Sequence, residues 1–435
     1  MVKRIELISM SRYWPTVVAL LLPMVIYAVL LGLYSVNAPF GDDYVLFLRH
    51  LNLPDSDHLA HLFAQHNEHR LAFVCGVGEL SYLLSGSVNF IGLILFGNLA
   101  LLGIAWRLWR YFQRFALPAG YFVPVMLLLF IHPAWENMTW ATGSIQNYFV
   151  LLFAMLALYY FADLPQRLSW ALFWAVVALL TSGSGLVLLP LMLCWLLLDR
   201  GEARSFSQIR IALSAEKGRA IGLLVAVTTV VPVLYFYDHT VPPHHQSAFQ
   251  ISFNPLQFIG YFLALLGSLA PVKPFAIAIG AGLLGLFGYL TRQKVYRSDP
   301  FLYLLLLFVL ANNLLITLAR YSFGIDQALS FRYSVVSVLF VVVSYLLLLR
   351  QQWFLALLQQ PLWRRLGWGG LLLYALLATG LNLYFLEKRQ QQLLQSIALR
   401  ESETPAFVLH SQSIARDILN QAAQKGIYRM DSVTP

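Results

Sequence analysis

Apolar runs of about 15 to 22 residues recur along the chain, separated by short breaks that carry charge, proline or glycine. As helices, runs of that length match a hydrocarbon layer ~30 Å thick, and a helix satisfies its own backbone hydrogen bonds there. The pattern predicts spans near 14–35, 88–108, 118–132, 146–162, 168–182, 185–199, 219–237, 274–291, 300–319, 331–349 and 366–386. Two further apolar stretches, 71–84 and 256–270, have the length of interfacial or re-entrant helices. The expected fold class is therefore an all-α polytopic membrane protein with about eleven transmembrane helices, thirteen if both short stretches cross.

Composition agrees with this reading. The 435 residues are 59% hydrophobic and only 11% charged, with a mean hydropathy of +0.68, far from soluble usage. The net charge of +9 raises nucleic acid as a partner, but Lys and Arg are dispersed in short loops without a basic stripe. Topology accounts for them. With the amino terminus cytoplasmic, Arg107, Arg110, Arg114, Arg167, Arg292, Arg297, Arg350, Arg364 and the basic residues of 199–219 fall inside. All ten histidines then fall on the outer side or at its edge, with Asp42, Asp43, Glu68, Glu136, Asp238 and Asp326. Residues 1–12 lead into the first apolar run without a small-residue cleavage site, so that run reads as a retained span. Cys75 and Cys194 do not suggest a disulfide framework. We expect residues 1–386 to form the membrane domain, including a long first outer loop at 36–87, and 387–435 a small helical tail on the outer side. No internal repeat is evident.

The outer loops hold the candidate chemistry. Gly41-Asp42-Asp43-Tyr44 places two adjacent carboxylates just past the first span, where anionic groups mark working sites more often than structural ones. After Pro54 the loop reads as a helix on which His58, His61, Gln65 and His69 share one face, flanked by Glu68 and Arg70, with His66 in the same run. Three readings stay open: a carboxylate general base, a divalent metal held by carboxylate oxygens and a histidine, and a wet face of an interfacial helix. The loop from His132 to Gln146 combines Trp135, Glu136, Trp140 and Gln146, a mixture suited to a sugar but equally to an aromatic belt. Thr181 to Gly185 forms a small-residue turn. Arg320 and Arg332 stand at the outer ends of consecutive spans against the charge rule, and a phosphate gripped by their planar forks supplies a reason. An ion pair to Asp326 supplies another. Pro242 to Gln246 and Lys273 offer further outer polar groups.

This arrangement resembles the GT-C superfamily of integral-membrane glycosyltransferases, which use polyprenyl-phosphate sugars. The likeness is one of architecture over nearly the whole chain, carried by the Asp42-Asp43 pair, the Glu68-His69-Arg70 run, and Arg320 with Arg332. The large soluble carboxy-terminal domain of the oligosaccharyltransferases is missing, which leaves the acceptor open. The resemblance implies an inverting glycosyltransferase in a bacterial inner membrane, acting at the periplasmic face on an envelope polysaccharide, lipopolysaccharide or pilin-like protein. It implies Asp43 or Asp42 as the base, and Arg332, Arg320, Arg70 and Tyr333 around the donor phosphate. Glu68, His69, His66, Glu136, Trp140, Gln146 and Tyr44 would then contact sugar or acceptor. No cofactor is required, since the lipid phosphate is itself the leaving group, and no metal residues are assigned. The alternatives are a polymerase or ligase of O-antigen type and a transporter or lipid flippase.

Overall fold

In the computed structural model, residues 2–162, 167–198, 215–240, 253–402, 407–409 and 411–429 are described. The basic segment 199–214 and the Pro242–Gln246 loop lie outside them. Helix accounts for 82% of the structure, and the sheet among the described residues is one two-stranded hairpin, so the fold is all-α. The main helices are α1 (Val2–Tyr34), α2 (Asp55–Leu62), α3 (Ala72–Ser85), α4 (Phe90–Phe112), α5 (Val123–Ile131), α6 (Ala141–Phe161), α7 (Leu168–Thr181) and α8 (Leu188–Leu198). They continue as α9 (Ala215–Tyr235), α10 (Pro255–Leu266), α11 (Lys273–Arg292), α12 (Pro300–Arg320), α13 (Ser334–Leu348), α14 (Pro361–Ala398) and α15 (Gln412–Gln424).

Among the described residues, eight helical segments are long and apolar enough to cross a membrane: 14–34, 90–115, 141–161, 218–235, 273–292, 300–323, 331–348 and 361–398. The chain is thus a multi-pass membrane protein. The spans expected near 118–132, 168–182 and 185–199 are shorter apolar helices of 10–17 residues, as are the stretches beginning at Ala72 and Pro255. Proline and glycine at their ends, in Pro118-Ala119-Gly120 and Ser182-Gly183-Ser184-Gly185, cut them short.

Helix α6 lies at the centre of the bundle, packed between α4 and α7. Lipid tails are as apolar as the side chains, so association here depends on close contact and on interhelical hydrogen bonds rather than on expelling water. At Gly97 of α4 a Cβ would sit 2.2 Å from Ser144 Oγ of α6, so only glycine admits that approach. Nearby, Tyr27 donates to Asn98 Oδ1, and the Asn98 amide donates to the carbonyls of Ile94 (2.7 Å) and Met138 (3.0 Å). These bonds tie α1, α4 and the turn before α6 inside an apolar interior. Helices α10 and α11 cross as closely: a Cβ on Gly280 would lie 1.9 Å from the Leu263 carbonyl oxygen.

In the first outer loop, helix α2 ends at Leu62, and strands β1 (Gln65–His66) and β2 (His69–Arg70) form a hairpin turning at Asn67, whose φ is 51°. The single helical face expected for His58, His61, Gln65 and His69 therefore does not exist. His58 and His61 stay on α2, whereas Gln65 and His69 are carried away on the hairpin. Asn-Glu in a left-handed turn offers a local alternative to helix that apolar spacing does not register.

The polar tail begins inside α14, which runs unbroken from Pro361 to Ala398. The chain then folds back on the first outer loop. Val408 O accepts from Gly41 N (2.7 Å), Ile418 O from the Asn52 amide (3.0 Å), Ile427 O from Val88 N (2.7 Å), and Tyr428 Oη donates to Asn37 O (2.6 Å). Helix α15 presents Ile418 and Leu419 to the core and leaves its other side exposed.

The helix crossing gives a controlled test. Gly280→Ala should lower stability by ~1–3 kcal/mol, because α10 and α11 must move apart. Gly285→Ala on the same helix, with no atom within 4 Å, should leave it unchanged or raised. Thermal unfolding of both variants in detergent checks the pair.

Candidate functional site

The carboxyl end of α1, the first outer loop, the turns before α6 and α8, and the junction of α12 with α13 meet at one end of the bundle. At the opposite end Asp299 pairs with Arg350 at 3.3 Å and accepts from Tyr111 at 3.2 Å, and Arg107 lies against the Tyr159 ring. The end holding the carboxylate pair is the candidate site.

Gly41, with φ of 54°, turns the chain sharply against the Trp140 ring, and the next two residues diverge. Asp43 is 1% exposed and points into the protein. Its Oδ1 accepts from Thr142 N (2.8 Å) and Thr142 Oγ1 (2.6 Å), and Oδ2 accepts from Phe40 N (3.0 Å). Thr142 lies in the first turn of α6, where backbone N–H groups lack helical partners, and Trp140 before it supplies no side-chain cap. Asp43 is the cap, delivered from another part of the chain. Burial pushes its carboxyl up to about 7, against the three donors that favour the anion.

Asp42 points the other way, its side chain 37% exposed and Oδ1 3.1 Å from His66 Nε2. Burial raises its pKa, but the hydrogen bond and charge of His66, with Arg332 and His69 beyond, outweigh that and hold the carboxyl below its ordinary value. A π-helical stretch, Tyr44–Arg49, follows the pair, a geometry common at functional sites.

The guanidinium groups meet this face from α12 and α13. Arg320 donates to Glu68 Oε1 and to Tyr333 Oη (3.0 Å), and His69 Nε2 lies 3.5 Å from the same Glu68 oxygen. His69 Nδ1 accepts from Gly183 N at 3.2 Å, and a Cβ on Gly183 would fall 2.6 Å from that nitrogen. Arg332 Nε lies 4.0 Å from Glu136 Oε1. Asp326 pairs with Lys273 at 2.8 Å, so among the described contacts it is not the partner of either arginine.

Asp42, His66, Glu68, His69, Arg320, Arg332 and Tyr333 are thus brought together. The other sequence candidates do different work. Arg70 donates to the carbonyls of Phe63, Tyr235 and Tyr237, tying the hairpin to the end of α9, and Gln65 exchanges bonds with Thr240 there. Glu136 Oε2 accepts from Ser330 Oγ and Arg332 N, both at 3.0 Å, and so shapes the turn that carries Arg332. Trp140 is buried edge-on to Phe40, Tyr44 is buried against Phe407, and Gln146 lies 3.5 Å from Ser182 Oγ.

Arg389, on α14, was not singled out from the sequence. It is 3% exposed, its guanidinium carbon lies 3.9 Å from the Phe40 ring centre and 4.6 Å from that of Trp135, and it donates to Glu136 O at 3.0 Å. Asn382, one to two turns earlier, accepts from Trp135 N and donates to His132 O. Together they clamp the turn before α6. In sequence Arg389 stands in Lys388-Arg389-Gln390, which reads as a solvated basic run.

Comparison with protein-family models, with curated proteins and with solved structures finds no match.

The Asp43 cap predicts a pH dependence of stability. A carboxyl raised on folding binds its proton more tightly in the native state, so its contribution falls as pH rises from about 4 to about 7. Thermal midpoints in detergent should show wild type losing ground to Asp43→Asn across that window. Parallel curves for the two proteins would mean that Asp43 does not titrate there.

Proposed function

We propose that this chain is an inverting glycosyltransferase of GT-C type, transferring a sugar from a polyprenyl-phosphate donor to a cell-envelope acceptor. The observation that carries the proposal is the Asp42 carboxylate, 37% exposed and 3.1 Å from His66 Nε2, with the Arg332 charge beyond, at one end of a helical bundle. A base at this position takes the acceptor hydroxyl proton as that oxygen attacks C1 of the sugar from the side opposite the leaving phosphate. Arg332, with Arg320 and Tyr333 behind it, is the cationic group suited to the departing lipid phosphate, and Arg320 would exchange its Glu68 contact for phosphate oxygens. His66 and His69 border the acceptor side.

Of the two adjacent carboxylates we assign Asp42 as base and Asp43 as the group that holds the elbow. Glu136, Arg70, Trp140 and Tyr44 are positioning and packing residues in this scheme. The departing group is already a phosphate, so neither nucleotide nor further cofactor enters the reaction. On this reading the eight long helices and the three shorter ones expected to span make up the eleven-span bundle, set in a bacterial inner membrane. The amino terminus is then cytoplasmic, the site and the carboxyl tail are periplasmic, and the partners are lipid-linked sugar, envelope acceptor and membrane lipid, not nucleic acid.

A second reading, transport or lipid flipping, draws support from Asn312 and Asn313. Both are buried within α12, and Asn313 has neither amide atom bonded among the described residues. Polar groups within a span mark pathways in transporters.

The two readings separate on incubating the purified protein with polyprenyl-phosphate sugars and an envelope-glycan acceptor. Transfer releases free lipid phosphate, whereas flipping moves lipid between leaflets of a vesicle without breaking a bond. Asp42→Asn should lower release by ~10²-fold or more with donor affinity retained. Arg332→Ala should weaken donor binding more than acceptor binding. Release within tenfold of wild type in Asp42→Asn would reject Asp42 as the base.

A further inference from the structure

Away from the carboxylate pair, the first outer loop brings together His50, His58 and Glu79, each with one ligand atom within 4.8 Å of the others. They come from three separate elements: His50 from the turn that ends the π-helical stretch, His58 from α2, and Glu79 from α3. His50 Nε2 lies 3.4 Å from Glu79 Oε2, and His58 Nδ1 lies 3.1 Å from Glu79 Oε1. These separations fit the edges of a small coordination polyhedron, since metal bonds of ~2.0–2.2 Å at tetrahedral angles put neighbouring ligand atoms about 3.3 Å apart.

The far side of the His58 ring points to the same conclusion. His58 Nε2 lies 3.2 Å from Leu53 O, which can only accept. With Nδ1 facing a carboxylate, His58 therefore meets an acceptor at each nitrogen, and a neutral imidazole has one proton to give. A second proton on His58 would meet both acceptors, and so would a metal cation between Nδ1 and Glu79, which leaves the single proton on Nε2 for Leu53. His50 is compatible with the same arrangement: Nε2 faces Glu79, and Nδ1 lies 3.0 Å from His61 Nδ1, which accepts or donates according to its tautomer. Metal-binding histidines commonly direct the other ring nitrogen to an outer acceptor in this way, which fixes tautomer and ring orientation.

We propose that His50 Nε2, His58 Nδ1 and the Glu79 carboxylate form a binding site for a divalent transition metal of zinc type, with His61 and Leu53 O as the outer partners. Two imidazoles and one carboxylate suit zinc over magnesium or calcium, which prefer oxygen throughout, and a fourth position is left for water. The site's role is to hold the loop. It joins α2, no residue of which is buried, to the well-packed segment that begins at Asp42 and Asp43 and to α3. The assignment does not depend on the glycosyltransferase reading.

Metal analysis of the full chain, purified in detergent and dialysed against zinc and then against metal-free buffer, tests it. Wild type should retain about one zinc per chain, cobalt substitution should give the visible absorption of a tetrahedral centre, and magnesium should not compete. Glu79→Gln and His58→Ala, checked by gel filtration for folding, should each bind zinc at least tenfold more weakly, and His239→Ala should bind as wild type does. Chelation should lower the thermal midpoint of wild type and leave that of Glu79→Gln unchanged. Folded wild type without stoichiometric zinc, or variants binding zinc as wild type does, would overturn the site. If the variants do not fold, the zinc content and cobalt spectrum of wild type decide the matter alone.

Discussion

Asp43 brings a carboxyl to the first turn of α6, where backbone N–H groups lack helical partners, and the same group receives the N–H of Phe40. One side chain thereby joins the end of the first span to the start of the central helix. The turn at Gly41, the outward direction of Asp42 and the placement of Trp140 against the elbow all depend on it. A buried carboxylate is costly to leave unpaired, so the elbow has few other places to settle. Asp43 holds the elbow from which Asp42 points toward His66.

The remaining charges of this end follow the same economy of pairing. Glu136 closes the turn before Arg332, Arg389 closes the turn before α6, and Arg70 closes the end of α9 over the hairpin. Each directs hydrogen bonds to backbone groups of a distant segment. What is left partly exposed is a small set of acids, imidazoles and guanidinium groups that face one another. Their field, more than any single contact, is the chemical property of the site.

The fold was readable because bilayer thickness and backbone satisfaction translate directly into run length, and the long helices fall where the apolar runs do. The gathering of the acidic pair with Arg320 and Arg332 at one end was readable for the same reason, since charges collect at helix ends. Direction was not readable. Nothing in Asp42-Asp43 says which carboxylate turns inward, because that depends on Thr142, about a hundred residues away. The helical face drawn through His58 and His69 failed at Asn67, where a left-handed turn outcompetes the period. Arg389 was hidden because solvated and buried arginines look alike in a polar stretch; only packing against Phe40 and Trp135 separates them. The grouping of His50 with His58 and Glu79 needed three elements to be placed first.

Helix α14 holds 38 residues without a break, about 57 Å of rod at 1.5 Å per residue, against a hydrocarbon layer of ~30 Å. Nearly half its length therefore exceeds that layer, and Arg389, just past the span expected at 366–386, holds the turn before α6 together with Asn382. A rod fixed at one end in a fluid sheet and at the other to the charged end of the bundle transmits tilt. Bilayer thickness thus becomes a mechanical input to the spacing of groups that never touch lipid.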